Sequence, residues 1–154
     1  MVRQPGNEDD WSYYPLHTLP RPLDIVWCRF PEQGMSVDAP GPKSRPGLVR
    51  SVFLNHDHTK AAVEVCYGTS QLKKDRFPLD LFIENTSQLN LLGLPQATRF
   101  EIDRTLRLPW AREFFEPRDR SKTPLIGRLS QDEIAQLETL KRIRKAQRTA
   151  PPSR

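Results

Sequence analysis

Three short strand-like runs, crowded into the stretch 24–70, constrain most strongly how this chain can fold. They span residues 25–30, 47–53 and 61–66. Each run is rich in β-branched or aromatic residues and is bounded by Gly, Pro, Asn or Asp, a pattern that is typical of strands joined by turns. The 15 prolines of the chain cluster outside these runs. The sequence therefore predicts a mainly β core.

Polar side chains stand at the ends of two of these runs. Arg45 opens the second run just ahead of a proline, and Thr69 and Ser70 follow the third run. A guanidinium and a hydroxyl at neighbouring strand ends are what a site for a phosphate ester needs. Two plainer interpretations stay open, namely an ion pair of Arg45 with an acid near Asp24 or Glu64, and a Thr69 hydroxyl that only satisfies a turn.

Two further elements are predicted downstream. Asn85 or Thr86 caps a short helix that ends at Leu92, before a glycine. Residues 98–108 alternate apolar and polar side chains, which predicts a half-buried strand. The alternation slips near Asp103, where we expect an irregular pairing.

A C-terminal helix has the clearest start signal in the chain. Ser130 and Glu133 form a capping box. An apolar stripe at helical spacing follows, made of Ile134, Leu137, Leu140 and Ile143. This stripe indicates core or interface packing. On a β domain this small it leaves apolar surface to be covered, so we expect a homodimer.

The length of 154 residues favours one domain with tails. We expect a flexible N-terminal arm over 1–22 whose aromatic residues dock on the body, a folded domain over 23–143, and a disordered basic tail over 144–154. The net charge is +5, but residues 141–154 hold six cations and no acid, so the remainder carries −1. Charge alone therefore does not indicate nucleic-acid binding.

Several classes of protein and site are not expected. No apolar run approaches the roughly 20 residues of a membrane span, and no apolar segment follows the first residues, so we expect a cytoplasmic protein without a membrane partner. Cys28 and Cys66 are predicted to be buried free thiols. His56 and His58 are interpreted as turn residues, and neither a metal nor a cofactor is predicted.

Five motifs in order resemble the PemK/MazF group of toxin-like endoribonucleases. They are DIVWCRF at 24–30, SRPGLVRS at 44–51, VEVCYGTS at 63–70, ATRFEID at 97–103 and IGRLS at 126–130. The resemblance covers residues 23–143. It implies a small SH3-like β-barrel with a short helix and a C-terminal helix, which usually forms homodimers.

The resemblance also implies an activity and partners. Members of the group are toxins of type II toxin–antitoxin systems that cleave single-stranded RNA, such as mRNA, without a metal ion. The ribose 2′-hydroxyl attacks the adjacent phosphate and leaves a 2′,3′-cyclic phosphate and a 5′-hydroxyl. A cognate antitoxin protein commonly inserts an extended or helical tail into the RNA groove.

The site residues follow from matching the motifs. Arg45 and Thr69 match the catalytic pair of the group, Ser70 is interpreted as supporting them, and Asp103 matches the aspartate of the Arg-x-Asp motif of PemK-type members, whose residues act as acid and base. Glu101 stands in place of the arginine of that motif. The candidate RNA-binding residues are Asp24, Lys43, Lys73, Lys74, Arg76 and Arg99.

Two other functions compete with the ribonuclease on the same fold. One is a non-catalytic binding module, for nucleic acid or of the kind found in the sister branch that poisons DNA gyrase. The other is an inactive descendant, which the missing arginine of the Arg-x-Asp motif favours.

Overall fold

Six antiparallel strands and two helices make up the computed structural model, which describes residues 11–32, 39–118 and 121–149. The strands are β1 (Asp24–Cys28), β2 (Arg45–Leu54), β3 (Ala61–Thr69), β4 (Leu81–Ile83), β5 (Thr98–Pro109) and β6 (Leu125–Arg128). The helices are α1 (Thr86–Leu92) and α2 (Gln131–Thr149), and a single 3-10 turn spans Leu16–Thr18. A mainly β fold with a short helix and a C-terminal helix is thus confirmed.

One sheet in the order β4-β5-β3-β2-β1-β6 contains all six strands, and it curls into a half-barrel. The hairpin register pairs Gly47 of β2 with Tyr67 of β3. The pairing of β3 with β5 shifts between Cys66 and Tyr67, which face Thr105 and Glu101 respectively. The three residues skipped on β5 include Asp103, so the irregular pairing predicted there is confirmed.

Apolar side chains cover both faces of the sheet, because successive strand residues point to opposite sides. On β1, Ile25 packs in one cluster and Val26 in the other. The first cluster lies under α1 and α2 and includes Leu48, Leu81, Ile83, Leu92, Phe100, Leu129, Leu137 and Leu140. The second cluster includes Val49, Val63, Val65, Leu108, Trp110, Phe114 and Phe115. The two predicted free thiols, Cys28 and Cys66, are buried as expected.

The N-terminal residues close the second cluster. The sequence predicts a flexible arm over 1–22, but its described part, residues 11–22, is held against the sheet. Tyr14 is 7% exposed, and its hydroxyl donates to the carbonyl oxygen of Phe115 at 2.6 Å. Trp11 meets Phe114 edge to face with ring centres 4.8 Å apart. The docking of the aromatic residues agrees with the prediction, whereas residues 11–22 are packed against the sheet and do not form the predicted flexible arm. Residues 1–10 lie outside the described ranges.

Helix α2 begins at the predicted capping box, where the Ser130 amide donates to Glu133 Oε1 at 2.8 Å. Leu137 and Leu140 are buried against the sheet, and Ile134 is half-buried. Three of the four residues of the stripe that favoured a homodimer are therefore covered within the chain itself, whereas Ile143 is exposed. The helix extends to Thr149, so residues 144–149, assigned to a disordered tail, are helical; residues 150–154 lie outside the described ranges.

No helix within residues 11–32, 39–118 and 121–149 is both long enough and apolar enough to cross a membrane.

Candidate functional site

The register of the β2–β3 hairpin brings the predicted catalytic residues together. Because Gly47 pairs with Tyr67, Arg45 at the start of β2 faces Thr69 at the end of β3. The strands approach closely here, since a Cβ atom on Gly68 would clash with the carbonyl oxygen of Pro46. A glycine at position 68 thus keeps the guanidinium and the hydroxyl at one sheet edge.

A small cavity of about 70 Å³ opens at this edge, and we call it the inner cavity. Arg45, Thr69 and Ser70 all line it. The other lining residues are Trp27, Ser44, Pro46, Gly68, Pro95, Gln96, Thr98 and Arg118. Among the residues that the structure describes, the lining thus has two guanidinium groups, four hydroxyl-bearing side chains and no acidic side chain, a donor set that suits an anion.

Arg45 has no acidic partner in the part of the chain that the structure describes. No carboxylate there lies within 4.0 Å of its guanidinium, whose central carbon is 5.6 Å from the centre of the Tyr67 ring. The ion pair with an acid near Asp24 that the sequence left open is not formed, because Asp24 pairs with Arg128 at 3.0 Å. The donors of Arg45 are therefore available to a ligand.

Thr69 combines burial with an oriented hydroxyl. The residue is only 6% exposed, yet it lines the inner cavity. Its Oγ1 accepts a hydrogen bond from the backbone N–H of Gln71 at 3.2 Å. That bond uses a lone pair and leaves the hydroxyl proton for another acceptor. Ser70, next in the chain, is exposed.

A larger cavity of about 350 Å³ shares Arg45 with the inner one, and we call it the outer cavity. Its lining adds two cations, Lys43 and Arg104. The guanidinium of Arg104 lies over Tyr67, 4.2 Å from the ring centre. The remaining lining residues are Phe30, Pro31, Glu32 and Pro42. We call the two cavities, which share Arg45, the groove, and among the described residues that line it Glu32 is the one carboxylate.

Asp103 is not brought to this groove. Its carboxylate accepts from Nε of Arg144 on α2 at 3.1 and 3.0 Å, and its side chain is 78% exposed. It lines neither cavity. The strand irregularity explains this placement, because the residues skipped in the pairing direct Asp103 towards α2 and not towards Arg45. Here Asp103 joins a helix to the sheet.

Arg99 is also occupied elsewhere. It is 3% exposed, and its Nη1 pairs with Asp80 at 2.8 Å and with Glu101 at 3.1 Å. Its Nε donates to the carbonyl oxygen of Gln71 at 3.0 Å. Asp80 in turn pairs with Arg144 at 3.1 Å. This buried network ties β5, the β3–β4 connection and α2 together, and it leaves Arg99 out of reach of an RNA backbone.

Of the other candidate RNA-binding residues, one lines a cavity and four line neither cavity. Lys43 lines the outer cavity, whereas Asp24 is buried in its pair with Arg128 and lines neither cavity. Three cations of the β3–β4 connection are exposed and line neither cavity, namely Lys73, Lys74 and Arg76. Lys74 forms an ion pair with Glu84.

The structure adds three residues that sequence reasoning missed. They are Trp27, Glu32 and Arg118. Arg118 lies over the Trp27 ring, with its guanidinium carbon 4.3 Å from the ring centre. Arg118 belongs to the irregular, charge-rich segment before β6, where no periodicity links a residue to a distant strand end. Its place could not be read from local sequence.

Within the described ranges, no group of three or more His, Cys, Asp or Glu side chains is arranged to hold a metal ion. His56 and His58 lie in the β2–β3 turn, as predicted.

No protein-family model matches this sequence, and no curated protein matches it. The resemblance to the PemK/MazF group therefore stays an expectation from the sequence motifs alone.

Proposed function

We propose that this protein is a PemK/MazF-like endoribonuclease toxin of a type II toxin–antitoxin system that cleaves single-stranded RNA without a metal ion. One observation carries the proposal. Arg45, Thr69 and Ser70, chosen from separate motifs, line one cavity, and Arg45 has no acidic partner in the described parts of the chain. A structural arginine would be expected to have such a partner, as Arg99 does.

The chemistry requires stabilisation of negative charge at phosphorus. The 2′-oxygen forms a bond to phosphorus, the bond to the 5′-oxygen breaks, and the equatorial oxygens gain charge in the transition state. Arg45 donates to those oxygens from a planar guanidinium that stays protonated. Thr69 and Ser70 add neutral O–H donors. The products are a 2′,3′-cyclic phosphate and a 5′-hydroxyl.

The outer cavity suits the flanking nucleotides. Lys43 and Arg104 supply positive charge for phosphates, and Tyr67 supplies aromatic surface. Cations interleaved with aromatic rings are the usual means of holding a single strand, because the backbone pairs with charge while bases stack. An acidic tail of an antitoxin would meet the same cations, so we assign the cognate antitoxin to this groove.

The proton of the 2′-hydroxyl needs an acceptor. The resemblance assigned acid–base work to Asp103, but that carboxylate is bound by Arg144. Among the described residues that line the two cavities, Glu32 is the one carboxylate, and it shares the outer cavity with Arg45. We assign acceptance of the 2′-hydroxyl proton to Glu32, and the leaving 5′-oxygen takes up a proton from solvent water.

The first experiment is digestion of single-stranded RNA by the purified protein in EDTA, with analysis of the new ends. Cyclic phosphate at the 3′ end and hydroxyl at the 5′ end support the proposal. Intact RNA under conditions where the protein is folded contradicts it. Chelation removes only metal-dependent nucleases, so an Arg45→Ala preparation purified in the same way is run in parallel, and cleavage that this preparation lacks belongs to the protein.

Two matched carboxyl-to-amide substitutions test the proton acceptor. Glu32→Gln should lower kcat by about 10²-fold or more, since a general base contributes roughly 10²–10⁴. Asp103→Asn should leave kcat within about threefold, because its contribution is to the helix contact and solvent-exposed ion pairs contribute at most about 1 kcal/mol. Loss of cleavage in Asp103→Asn alone would return the acid–base role to Asp103.

A non-catalytic nucleic-acid-binding module is the second candidate, and the Asp103–Arg144 pair favours it because the matched acid–base residue is engaged elsewhere. The groove would then bind RNA and release it uncut. A gyrase-inhibitor-like action through the C-terminal helix has less support, since Leu137 and Leu140 of α2 face the sheet.

A further inference from the structure

The connection between β5 and β6 carries a cation that the proposed chemistry does not use. Arg118 follows Phe114 and Phe115, both fully buried. The Arg29 amide donates to the carbonyl oxygen of Phe114 at 2.7 Å, and the Tyr14 hydroxyl donates to that of Phe115 at 2.6 Å. These contacts anchor the connection to the end of β1 and to the N-terminal residues. Arg118 is therefore delivered to the edge of the inner cavity by a tethered segment.

Two arginines of this region differ in their partners. Arg29 pairs with Glu116 at 2.5 Å. Arg118 has no carboxylate within 4.0 Å in the described ranges, and its guanidinium carbon lies 4.3 Å from the centre of the Trp27 ring. A guanidinium that stacks on an indole keeps its N–H donors, which lie in its own plane, free for an anion.

Among the described residues, the lining of the inner cavity thus holds two guanidinium groups, from Arg45 and Arg118, and no acid. Like charges that line one cavity of about 70 Å³ repel each other, so binding of an anion between or beside them is favoured. Arg45 reaches the cavity from the start of β2 and faces Thr69, whereas Arg118 reaches it over Trp27 of β1. The two cations approach from different elements, namely strand β2 and the β5–β6 connection.

We propose that Arg118 and Trp27 form a second phosphate position, which holds the phosphodiester next to the one that reacts at Arg45. The inference rests on the proposed function, and it names the substrate as a single strand with at least two phosphates at this site. Arg118 is a positioning residue. It contacts a phosphate whose charge is the same before and during the reaction, so its loss raises KM and leaves kcat unchanged.

Binding is measured with a short single-stranded RNA whose 2′-O-methyl groups block the attacking hydroxyl. Arg118→Ala should raise Kd about tenfold and reduce the slope of log K against log salt by about 1, as expected for one lost phosphate contact. Arg112→Ala is the matched control. Arg112 lies on the same connection over an aromatic ring, 5.1 Å from the centre of Tyr14, and lines neither cavity.

The indole of Trp27 gives an independent signal. Binding should change the fluorescence of the parent, because a phosphate bound to Arg118 changes the charge beside the indole ring of Trp27, and the change should be absent in Trp27→Phe. The chain has two other tryptophans, Trp11 and Trp110, and they do not line either cavity. In kinetics, Arg118→Ala should raise KM about tenfold with kcat within about twofold, and Arg118→Lys should recover part of the loss.

Three outcomes overturn the proposal. One is an Arg118→Ala variant that binds with the Kd and salt slope of the Arg112→Ala control. The second is a fall in kcat for Arg118→Ala at unchanged KM, which would make the guanidinium a transition-state donor. The third is a fluorescence change that survives in Trp27→Phe.

Failure of the two proposals can be told apart. If the parent binds the blocked RNA, loses affinity on Arg118→Ala, but cleaves no RNA, the phosphate position stands and the ribonuclease assignment fails. If the parent cleaves RNA and Arg118→Ala matches the control, only the phosphate position fails.

Discussion

Replacement of Arg45 by alanine is the most direct test of the site. Arg45 is half-buried, has no acidic partner in the described parts of the chain, and lies 5.6 Å from the centre of the Tyr67 ring. Its removal therefore strands no buried carboxylate. The folded protein loses one cation–π contact, which contributes about 0.5–1 kcal/mol at a site open to solvent. The fold should survive the substitution.

The effect on cleavage should be much larger than the effect on stability. Removal of one preorganised donor to a developing oxyanion typically costs about 10²–10³ in kcat, or roughly 3–4 kcal/mol. Arg45→Lys should not restore the rate, because an ammonium lacks the planar fork that fits two phosphate oxygens. RNA binding should weaken only modestly, since Lys43, Arg104 and Arg118 keep their places in the groove.

The assay is turnover of single-stranded RNA in EDTA, with urea unfolding measured in parallel. Arg107→Ala is the control, because Arg107 is also a strand arginine over an aromatic ring, 3.6 Å from the centre of Phe53, and lines neither cavity. Cleavage by Arg45→Ala at the parental rate would refute the proposed site. If Arg45→Ala loses both activity and cooperative unfolding, the claim that the fold survives removal of Arg45 is refuted.

Three further predictions concern stability, pH and assembly. Asp80→Asn should lower the free energy of unfolding, measured with urea, by about 3 kcal/mol. This is near the lower end for a broken buried ion pair, because Glu101 still pairs with Arg99. Asp103→Asn, which breaks an exposed pair, should lower it by about 1 kcal/mol or less. Burial raises the pKa of the Cys28 and Cys66 thiols, so the native state keeps their protons while the unfolded state loses them above the ordinary thiol pKa of about 8.5. The free energy of unfolding should therefore fall as pH rises from about 8 to about 10, and part of that slope should disappear in Cys28→Ala. The homodimer stays a prediction, but most of the α2 stripe no longer supports it because these residues pack within the chain. Light scattering that gives the 17.9 kDa mass of one chain at micromolar concentration would contradict it.

Local sequence patterns predicted much of the fold. The three strand-like runs correspond to β1, β2 and β3, since turn residues and β-branched runs act within a few positions of the chain. The Asn85 cap is formed as expected, with the Ser87 amide donating to its side chain at 2.8 Å. The capping box at Ser130 follows the same logic. Each of these features depends on residues that are close in sequence.

Long-range packing was out of reach of such signals. The four residues of β6 (Leu125–Arg128) pair with β1 about 100 positions earlier, and no alternation marks so short a strand. The N-terminal aromatic residues were assigned to a flexible arm because prolines surround them, but burial of Tyr14 against Phe115 outweighs that local preference.

The residues of the candidate site also divide into those that local sequence predicts and those that depend on long-range packing. Arg45 and Thr69 could be paired from the sequence because one hairpin register relates them. The face of the sheet on which Asp103 lies could not be predicted from the sequence, because the three residues skipped in the pairing decide it. A one-residue shift in a strand already reverses the face of every later side chain. The position of Arg118 could not be predicted either, because it depends on the course of the irregular β5–β6 connection.

The two competing functions differ in a single proton acceptor. Arg45, Arg118, Thr69 and Ser70 all offer donors, which stabilise a charged phosphate in substrate and transition state but take no proton from the 2′-hydroxyl. A groove with donors alone binds RNA and cleaves it slowly, because a missing general base forfeits roughly 10²–10⁴ in rate. Glu32 is the carboxylate that changes this balance. If Glu32→Gln binds blocked RNA as the parent does but cleaves natural RNA far more slowly, the groove is an active site; if both cleave equally slowly, it is a binding groove.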